Sequence, residues 1–320
     1  MKKRLYEIMD KFKDKKIIVI GDIMLDKYIF GKVERISPEA PIQVVNVTEE
    51  SYTPGGASNV ANNIYSLSGD SLMVGVIGED QISEILLEEL KKRNVNIDGI
   101  FKDSKKPTTQ KVRIIAQSQQ LLRIDYENTT HIDKETESKI INFIKKNSQD
   151  VDAIIIADYA KGVITKNIAD EIKKINHNKI IVVDPKPEHR DFYKGVSLII
   201  PNLKEAREMT NKEDIEDIGK ELVEKLDCSV LITTGEKGIS LFEKNGNITN
   251  VPTKAKKVFD VSGAGDTALA ALTLALVSGA SIKEAAILSN HAAGIVVGKV
   301  GTSTVSINEI KEDLEKEFPD

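Results

Sequence analysis

Residues 152–186 read DAIIIADYAKGVITKNIADEIKKINHNKIIVVDPK. Two short apolar runs, DAIIIADY (152–159) and KIIVVDPK (179–186), end in polar residues and enclose the amphipathic stretch TKNIADEIKKIN (165–176). The spacing of apolar residues predicts a helix between two buried strands. Strands joined by a crossover helix run parallel, so this segment predicts an α/β fold.

The same alternation extends along the chain in both directions. Further strand-like runs are 17–22, 71–80, 197–202 and 229–238, and further helical patterns are 82–94, 136–147 and 217–227. We therefore expect a three-layer α/β/α sandwich with a mostly parallel central sheet. Several runs end in polar residues, and ligands of parallel sheets bind at the carboxyl ends of strands. The strand ends therefore predict one cleft.

Two stretches, 28–53 and 108–127, alternate apolar and polar residues instead. A period of two predicts antiparallel strands with one solvated face. We expect them to form a small β lid over the cleft and to pair with a second copy as a homodimer. Since no linker-like segment interrupts the pattern, we expect a single domain over 1–320.

The composition excludes several classes of protein. The 320 residues carry a net charge of −5, with 40% hydrophobic and 30% charged residues, and no basic tract indicates nucleic-acid binding. The single cysteine, Cys228, excludes a disulfide framework, and the four histidines lack the spacing of metal ligands. We expect a cytoplasmic protein. No stretch is long and apolar enough to span a membrane, and the basic, amphipathic N-terminus lacks the apolar core of a signal peptide.

A glycine-rich loop leads into a long apolar helix at FDVSGAGDTALAALTLALVSG (259–279). The first N–H groups of a helix bind anions, and Gly263 and Gly265 would let a ligand approach. Asp266 then either takes the proton of a hydroxyl being phosphorylated or is an ordinary first-turn acid. Although Gly263, Gly265 and Ala268 fit a dinucleotide-binding pattern, the region after them is helical, so we set NAD binding aside.

A second glycine-rich helix start lies at TPGGASNVANNIYSLSG (53–69). Gly55 and Gly56 permit close approach of a ligand, and Asn59 offers both donors and an acceptor. Together with Asp22 and Asp26 they suit a polyhydroxy substrate. The alternatives are a tight turn near Asn59 and a capping role for Asp22.

These motifs resemble those of the PfkB (ribokinase-like) carbohydrate kinases over nearly the whole chain. The family's C-terminal signature matches DVSGAGDT (260–267), its N-terminal signature PGGASN (54–59), and its N-x-x-E motif NLKE (202–205). Within the family, the chain is similar to the D-glycero-β-D-manno-heptose 7-phosphate kinases of lipopolysaccharide-precursor synthesis. The segments that carry this similarity are 21–31, 35–45, 119–127, 158–162, 184–186, 201–205 and 296–306.

The sequence departs from those kinases in two ways. Many relatives carry a C-terminal nucleotidyltransferase domain, and we expect none here because the sequence stops at Asp320. Ala160 stands in DYAKG where glycine is expected, a change that would affect the conformation of the loop rather than the chemistry.

The resemblance implies a mechanism and its cofactors. Asp266 would be the catalytic base, and the amides of Gly263, Ala264 and Gly265 would hold the transferring phosphoryl group. Glu205 would bind Mg²⁺ through water, and a monovalent cation such as K⁺ is a further expected cofactor. The implied ATP site comprises Asn202, Leu203, Lys204, Glu205, Thr234, Gly235, Gly238, Asn290 and His291. For Asn202 and Glu205 the alternative is a capping box, and for His291 a helix histidine whose hydrogen bonds are satisfied by the protein. For Thr234, Gly235 and Gly238 it is an ordinary turn between two strands.

The acceptor site that the resemblance implies includes the polar and glycine residues of the first half of the chain: Asp22, Asp26, Gly55, Gly56 and Asn59. A sugar phosphate also needs cations, and the candidates are Arg113, Arg123, Lys161 and Lys186. For the lid arginines, a solvated face is the competing interpretation.

The leading hypothesis is an ATP-dependent kinase for the anomeric hydroxyl of a heptose 7-phosphate. The nearest alternative is another PfkB kinase, acting on a sugar, sugar phosphate or nucleoside. A non-catalytic sugar-binding regulator is disfavoured because binding alone gains little from an acid beside the phosphoryl site. A scaffold protein would leave the strand-end residues unexplained. Walker A and protein-kinase motifs are absent from the sequence.

Overall fold

The computed structural model describes residues 1–117, 119–175, 179–253, 260–299 and 301–317. Phe259, the first residue of the stretch 259–279, lies outside these ranges, as do His177 and Val300. In the described residues, no helix is long and apolar enough to cross a membrane.

A nine-stranded sheet forms the centre of the described structure. All strands are numbered in chain order, and the lid strands β2, β3, β6 and β7 form a separate sheet. The members of the central sheet are β1 (Lys16–Gly21), β4 (Asp70–Gly78), β5 (Asn96–Asp103), β8 (Ala153–Ala157), β9 (Ile180–Asp184), β10 (Leu198–Ile199), β11 (Ser229–Thr233), β12 (Ile239–Phe242) and β13 (Ile248–Val251). They are ordered β13-β12-β11-β10-β9-β8-β1-β4-β5, and only the pairs formed by β12 are antiparallel. The predicted parallel sheet is confirmed.

Helices cover both faces of this sheet. Ile17 and Val19 of β1 pack into one apolar core and Ile18 and Ile20 into the other, as the alternation of side chains along a strand requires. The first face is covered by α1 (Lys2–Met9), α2 (Ala57–Ser66), α3 (Gln81–Lys92), α8 (Ala264–Val277), α9 (Ile282–Val296) and α10 (Ile307–Glu317). The second is covered by α4 (Lys134–Asn147), α5 (Lys166–Ile175), α6 (Leu203–Thr210) and α7 (Ile215–Leu226).

The lid is a separate four-stranded sheet. It consists of β2 (Ile23–Ile36), β3 (Gln43–Gly56), β6 (Thr109–Ala116) and β7 (Gln119–Tyr126), in the order β3-β2-β6-β7. The pairs β2–β3 and β6–β7 are antiparallel as predicted, but β2 and β6 run parallel. The strands β2 and β6 follow β1 and β5, which point the same way in the core, and they therefore leave it in the same direction.

The chain reverses its direction of winding beside β1. Strands β4 and β5 add on one side of β1, and β8, β9 and β10 add on the other. Such a switch point opens a crevice at the carboxyl ends of the strands. There Gly21 pairs with Ala157 and Ala157 with Asp184, so the segments after β1, β8 and β9 lie side by side.

Candidate functional site

Asp266 lies in the first turn of α8, facing this crevice. Gly263 precedes the helix in the left-handed conformation (φ 79°), and no side chain caps it. Among the described residues, the amides of Gly265 and Asp266 have no acceptor, whereas Ala264 donates to Val261 O at 3.3 Å. The start of α8 therefore offers free N–H groups beside a carboxylate that is only 6% exposed.

Two donors hold the Asp266 carboxylate, one on each oxygen. Asn59 Nδ2 donates to Oδ2 at 2.7 Å, and the Tyr159 hydroxyl donates to Oδ1. Burial raises the pKa of Asp266 to about 6, against the lowering effect of these two bonds. A carboxylate with a pKa near 6 is ionised at neutral pH and basic enough to accept a proton during a reaction.

Asn59 reaches Asp266 because α2 packs along α8. Asn63 Nδ2 donates to Asn59 O at 2.9 Å and to Asn59 Oδ1 at 3.2 Å, while Thr267 Oγ1 donates to Asn63 Oδ1 at 2.9 Å. These side chains are buried, so the ladder of amides fixes which end of Asn59 faces the carboxylate.

The base of the lid contributes a second acid. Asp26 on β2 accepts from Arg113 Nη1 at 2.6 Å and from Thr302 Oγ1 at 3.0 Å. A Cβ at Gly55 would lie 2.7 Å from Asp26 Oδ2, so glycine is needed for this close approach. Tyr28 stacks under the Arg113 guanidinium, 5.3 Å from the ring centre.

Asp22 has the environment of the capping alternative rather than that of a substrate ligand. Its carboxylate is 1% exposed and accepts backbone N–H groups from Tyr159 (2.9 Å), Lys161 (3.0 Å) and Val163 (3.1 Å). Burial is the largest influence on its pKa, which is raised. Asp22 thus holds the loop after β8, and this disfavours the predicted direct contact with substrate because the oxygens are already occupied.

The predicted phosphate-binding cations all have acidic partners. Lys161 Nζ lies 2.8 Å from Glu127 Oε1, and Lys186 pairs with Glu205. Arg123 is 50% exposed on the outermost lid strand, where it makes a two-point contact with Asp125. Arg123 is therefore the member of the set that lies on a solvated lid face.

The motif at 202–205 forms a capping box at the start of α6. Asn202 Oδ1 accepts the Glu205 N–H at 2.9 Å, and Glu205 Oε2 accepts the Asn202 N–H at 3.0 Å. The other oxygen of Glu205 faces Lys186. Leu203 packs against the second core, and the Lys204 side chain is 86% exposed, so neither side chain faces the crevice.

A cavity of about 550 Å³ lies beyond the start of α8. Its walls are the turn after β11, one face of α9 and the first turn of α8, through Thr233, Gly235, Gly238, Ala264, Gly265, Asn290, Ala293 and Gly294. A largely apolar cavity of this size fits a nucleoside. Since Gly265 lines it, the cavity adjoins the free amides beside Asp266.

Three residues predicted for the nucleotide differ in placement. Asn290 lines the cavity, where its amide bonds Thr253 Oγ1 (2.7 Å) and Pro252 O (3.1 Å). Thr234 Oγ1 donates to Gly238 O at 2.7 Å and closes the turn. His291 is outside the cavity lining, because its Nδ1 bonds Asp313 at 2.7 Å and ties α9 to α10. This placement disfavours the predicted contact of His291 with adenine and agrees with the alternative of a hydrogen-bonded helix histidine.

In the part of the chain that the structure describes, no group of three or more His, Cys, Asp or Glu side chains lies close enough together to hold a metal ion. A hydrated Mg²⁺ bound mainly by phosphates nevertheless needs only one carboxylate from the protein, and Glu205 could supply it.

Several residues of this site carry no sequence motif that predicts their role. Tyr159 follows β8 and Thr302 precedes α10, and each contacts an acid from a different part of the chain. Asp184, at the end of β9, is partly buried near Glu205, and loss of hydration raises its pKa well above the usual value. In the sequence, only the position of these residues after strands or in loops indicates that they lie at the cleft. Their hydrogen-bond partners are too distant in sequence to be inferred.

The parallel sheet with its lid, the buried acid at a helix start and the adjoining nucleoside-sized cavity define an ATP-dependent sugar kinase with a ribokinase-like fold. The model of the pfkB family carbohydrate kinases matches residues 14–309. The chain belongs to this family.

Curated relatives share the sequence over most of this chain. The bifunctional protein HldE of Syntrophotalea carbinolica is 40% identical over 314 residues, and that of Geobacter metallireducens is 42% identical over 317 residues. These alignments cover 96% and 97% of this chain but 64% and 65% of the relatives.

Solved structures share the fold at lower identity. Ribokinase from Thermotoga maritima superposes with a TM-score of 0.73 at 22% identity, covering 94% of this chain and 99% of that one. Phosphofructokinase-2 from Escherichia coli in complex with potassium gives 0.77 at 19% identity, covering 94% and 98%.

Proposed function

We propose that this chain transfers the γ-phosphoryl group of ATP to the anomeric C1 hydroxyl of D-glycero-β-D-manno-heptose 7-phosphate, forming the 1,7-bisphosphate on the route to ADP-heptose. The observation that carries the kinase chemistry is the Asp266 carboxylate, held by two donors between the crevice and the nucleoside-sized cavity. The choice of sugar is supported by the resemblance of segments such as RISPEAPIQVV (35–45).

In the proposed reaction, Asp266 accepts the proton of the C1 hydroxyl as its oxygen attacks the γ-phosphorus. The bond between the γ-phosphorus and the β–γ bridging oxygen breaks, and ADP leaves. The amides of Gly265 and Asp266 point toward the charge of the transferring group, with Gly263 permitting the turn that exposes them. The Ala264 amide contributes less than we expected from sequence, because it already donates to Val261.

The nucleotide side of the proposal uses the cavity and the start of α6. Adenosine would occupy the space lined by Gly235, Gly238 and Asn290. Mg²⁺ would neutralise charge on the ATP phosphates, held by Glu205 through water. Glu205 keeps its capping contact with Asn202, so binding the ion requires only a change in its contact with Lys186.

The sugar side uses the lid base and the loop after β8. Asp26 and Asn59 would accept and donate hydrogen bonds to the ring hydroxyls, above Gly55 and Gly56. Arg113 and Lys161 are the cations that we assign to the 7-phosphate, because both are partly buried and each pairs with a single acid that phosphate would replace. Lys186, between Glu205 and Tyr159, suits the phosphates of ATP.

We also propose that the protein forms a homodimer through the lid. Leu122, Ile124 and Tyr126 alternate along β7 and are exposed by 36–54%. A contiguous apolar strand face of this kind favours association. Sedimentation of the protein and of a Leu122→Ser, Ile124→Ser variant checks the proposal; a parent monomer at micromolar concentration would contradict it.

A coupled ATP assay with heptose 7-phosphate, ribose and fructose 6-phosphate tests the function. We expect kcat/KM for heptose 7-phosphate to exceed that for ribose by at least about 100-fold, because ribose has no phosphate to contact Arg113 and Lys161. We also expect it to exceed that for fructose 6-phosphate. Product NMR should show phosphate on C1. Preference for ribose or fructose 6-phosphate would indicate another PfkB kinase, and no transfer to any sugar a binding protein.

The same assay tests the monovalent cation. Because the Escherichia coli phosphofructokinase-2 structure contains potassium, we expect higher activity in KCl than in NaCl at equal ionic strength. Equal rates in the two salts would remove K⁺ from the proposal.

A further inference from the structure

Tyr159 makes the hydrogen bond that most directly affects Asp266. Its hydroxyl donates to Oδ1, and the amide of Asn59 takes the other oxygen. With one donor on each oxygen, the plane of the carboxylate is fixed, and each oxygen keeps a lone pair for a further donor such as the acceptor hydroxyl.

Two buried acids hold the loop that carries Tyr159. Asp22 accepts the backbone N–H groups of Tyr159, Lys161 and Val163. Asp158 accepts the Ala160 N–H at 2.8 Å on one oxygen and His189 Nδ1 at 2.7 Å on the other. Since Asp22 and Asp158 are 1% and 0% exposed, the loop is fixed from beneath.

The ring of Tyr159 is also held in place. Lys186 Nζ lies 5.6 Å from the ring centre, in the range of a cation–π contact. Lys186 in turn pairs with Glu205, at the start of α6. The phenol therefore stands between the acid that we assign as base and the residues that we assign to the ATP phosphates.

We propose that Tyr159 is a positioning residue for the reaction: its hydroxyl orients the Asp266 carboxylate toward the acceptor hydroxyl. This inference rests on the proposed role of Asp266 as base. The loop after β8, with its two acids, then serves to deliver a hydrogen-bond donor to the base.

The charges around Asp266 explain why such a donor is needed. Burial and the neighbouring acid Asp26 raise the pKa of Asp266, and the Tyr159 hydroxyl, Asn59 and Lys186 lower it, leaving it at about 6. Asp184, partly buried nearby, interacts with Asp266 as a like charge. Burial and these acids raise the pKa of Tyr159 well above 10, so the phenol remains a neutral donor throughout the assay range.

The test is the pH profile of Tyr159→Phe, which removes one oxygen and keeps the ring. We expect the acidic limb of kcat, near pH 6 in the parent, to move up by about one pH unit. We also expect kcat to remain about tenfold low at pH 9, because the carboxylate is held less firmly, with KM for ATP little changed. An unmoved limb would overturn the inference.

Tyr193→Phe is the matched control. The Tyr193 hydroxyl donates to Asp158, so this variant loses a phenol from the support of the loop rather than from Asp266. Tyr193→Phe should lower the stability of the protein without moving the acidic limb of the kcat profile. An equal shift of the limb in both variants would mean that it depends on the loop as a whole, and it would overturn a specific role for Tyr159.

Asp266→Asn separates this inference from the proposed function. Loss of activity in Asp266→Asn together with an unmoved limb in Tyr159→Phe would reject Tyr159 alone. Near-normal turnover by Asp266→Asn would instead reject the role of the base, and the inference with it.

Discussion

Two helices of this protein start behind glycine-rich loops, and their environments differ. The helix α2 follows Gly55-Gly56 and α8 follows Gly263, and both begin at a positive-φ glycine without a side-chain cap. At α2 the space is filled by protein: a Cβ on Gly56 would lie 2.7 Å from Asp22 O, and the Ala57 amide donates to that same oxygen. At α8, a Cβ on Gly265 would have no heavy atom within 4 Å.

The difference shows that one sequence pattern serves two purposes. At α2 the glycines let β2, β3 and the helix approach one another, and the helix contributes Asn59 to the site. At α8 Gly263 also lies against protein, since a Cβ there would be 2.9 Å from Asn59 Nδ2, but Gly265 leaves room for a ligand in front of free amides. Whether a glycine is needed for packing or for access depends on what faces it, which the local sequence does not contain.

The largest expected effect concerns the acid beside the open helix start. Asp266→Asn should lower kcat by about 10²–10⁴, because the side chain can no longer accept a proton. Steady-state kinetics with saturating sugar phosphate and ATP measures this. A folded variant with near-normal kcat would show that α8 binds anions without a base.

The pH dependence of folding provides the control for that variant. Burial raises the pKa of Asp266 in the folded state to about 6, so its ionisation opposes folding. Its contribution to stability is present below about pH 4 and lost as the pH rises through about 6. At pH 8 we therefore expect the urea midpoint of Asp266→Asn to be no lower than that of the parent protein.

The next effect should appear at the filled helix start. Gly56→Ala places a Cβ against Asp22 O and 2.6 Å from Met24 Cε, at φ 56°. The backbone conformation and the overlap together should lower the free energy of unfolding by about 2–4 kcal/mol. Urea unfolding measures the loss. An unchanged midpoint would mean that the segment before α2 relaxes easily and that the two helix starts differ less than the contacts indicate.

Gly265→Ala should give the opposite result. Within α8, alanine is favoured over glycine by about 0.5–1 kcal/mol, and its methyl group meets no neighbour. We expect a slightly more stable protein whose kcat/KM for ATP falls about tenfold or more, because the methyl group stands before the phosphate-binding amides. A less stable variant with normal ATP kinetics would mean that α8, like α2, starts with glycine for packing.

Sequence patterns predicted most of the fold because each strand and helix carries its own period. Runs such as 17–22 and 229–238 became strands of the parallel sheet, and 82–94 became α3 within two residues at each end. The parallel β2–β6 pair was missed because strand direction depends on how the core strands lead into the lid.

The position of the candidate site could be predicted from the sequence, but the hydrogen-bond partners of its residues could be predicted less well. Asp266, Asn59 and Asp26 converge, yet Asp22 is occupied by backbone amides and His291 by Asp313. These partners lie more than 20 residues away, and carboxylates bond ligands and backbone amides equally well. Burial and hydrogen-bond partners, which only the folded chain defines, decided between the open alternatives.

The smallest effect concerns a third positive-φ position, where the residue is not glycine. Ala160 lies in the Tyr159 loop with φ 54°, held by the bond from its N–H to Asp158. An alanine pays a steric cost in this conformation that glycine avoids, so Ala160→Gly should raise the free energy of unfolding by about 1 kcal/mol. Because Asp22 and Asp158 hold the loop on both sides, kcat should change less than twofold.

Gly162, two residues further along the loop, should respond to substitution in the opposite direction. It has φ 93°, and a Cβ there would lie 2.1 Å from Thr130 O, so Gly162→Ala should destabilise the protein as Gly56→Ala does. Urea midpoints and kcat values of the two loop variants show whether the loop is held by the buried acids Asp22 and Asp158 or by its own backbone conformation. If Ala160→Gly keeps its stability but loses activity, the conformation of Ala160 itself, rather than the two acids, holds Tyr159 against Asp266.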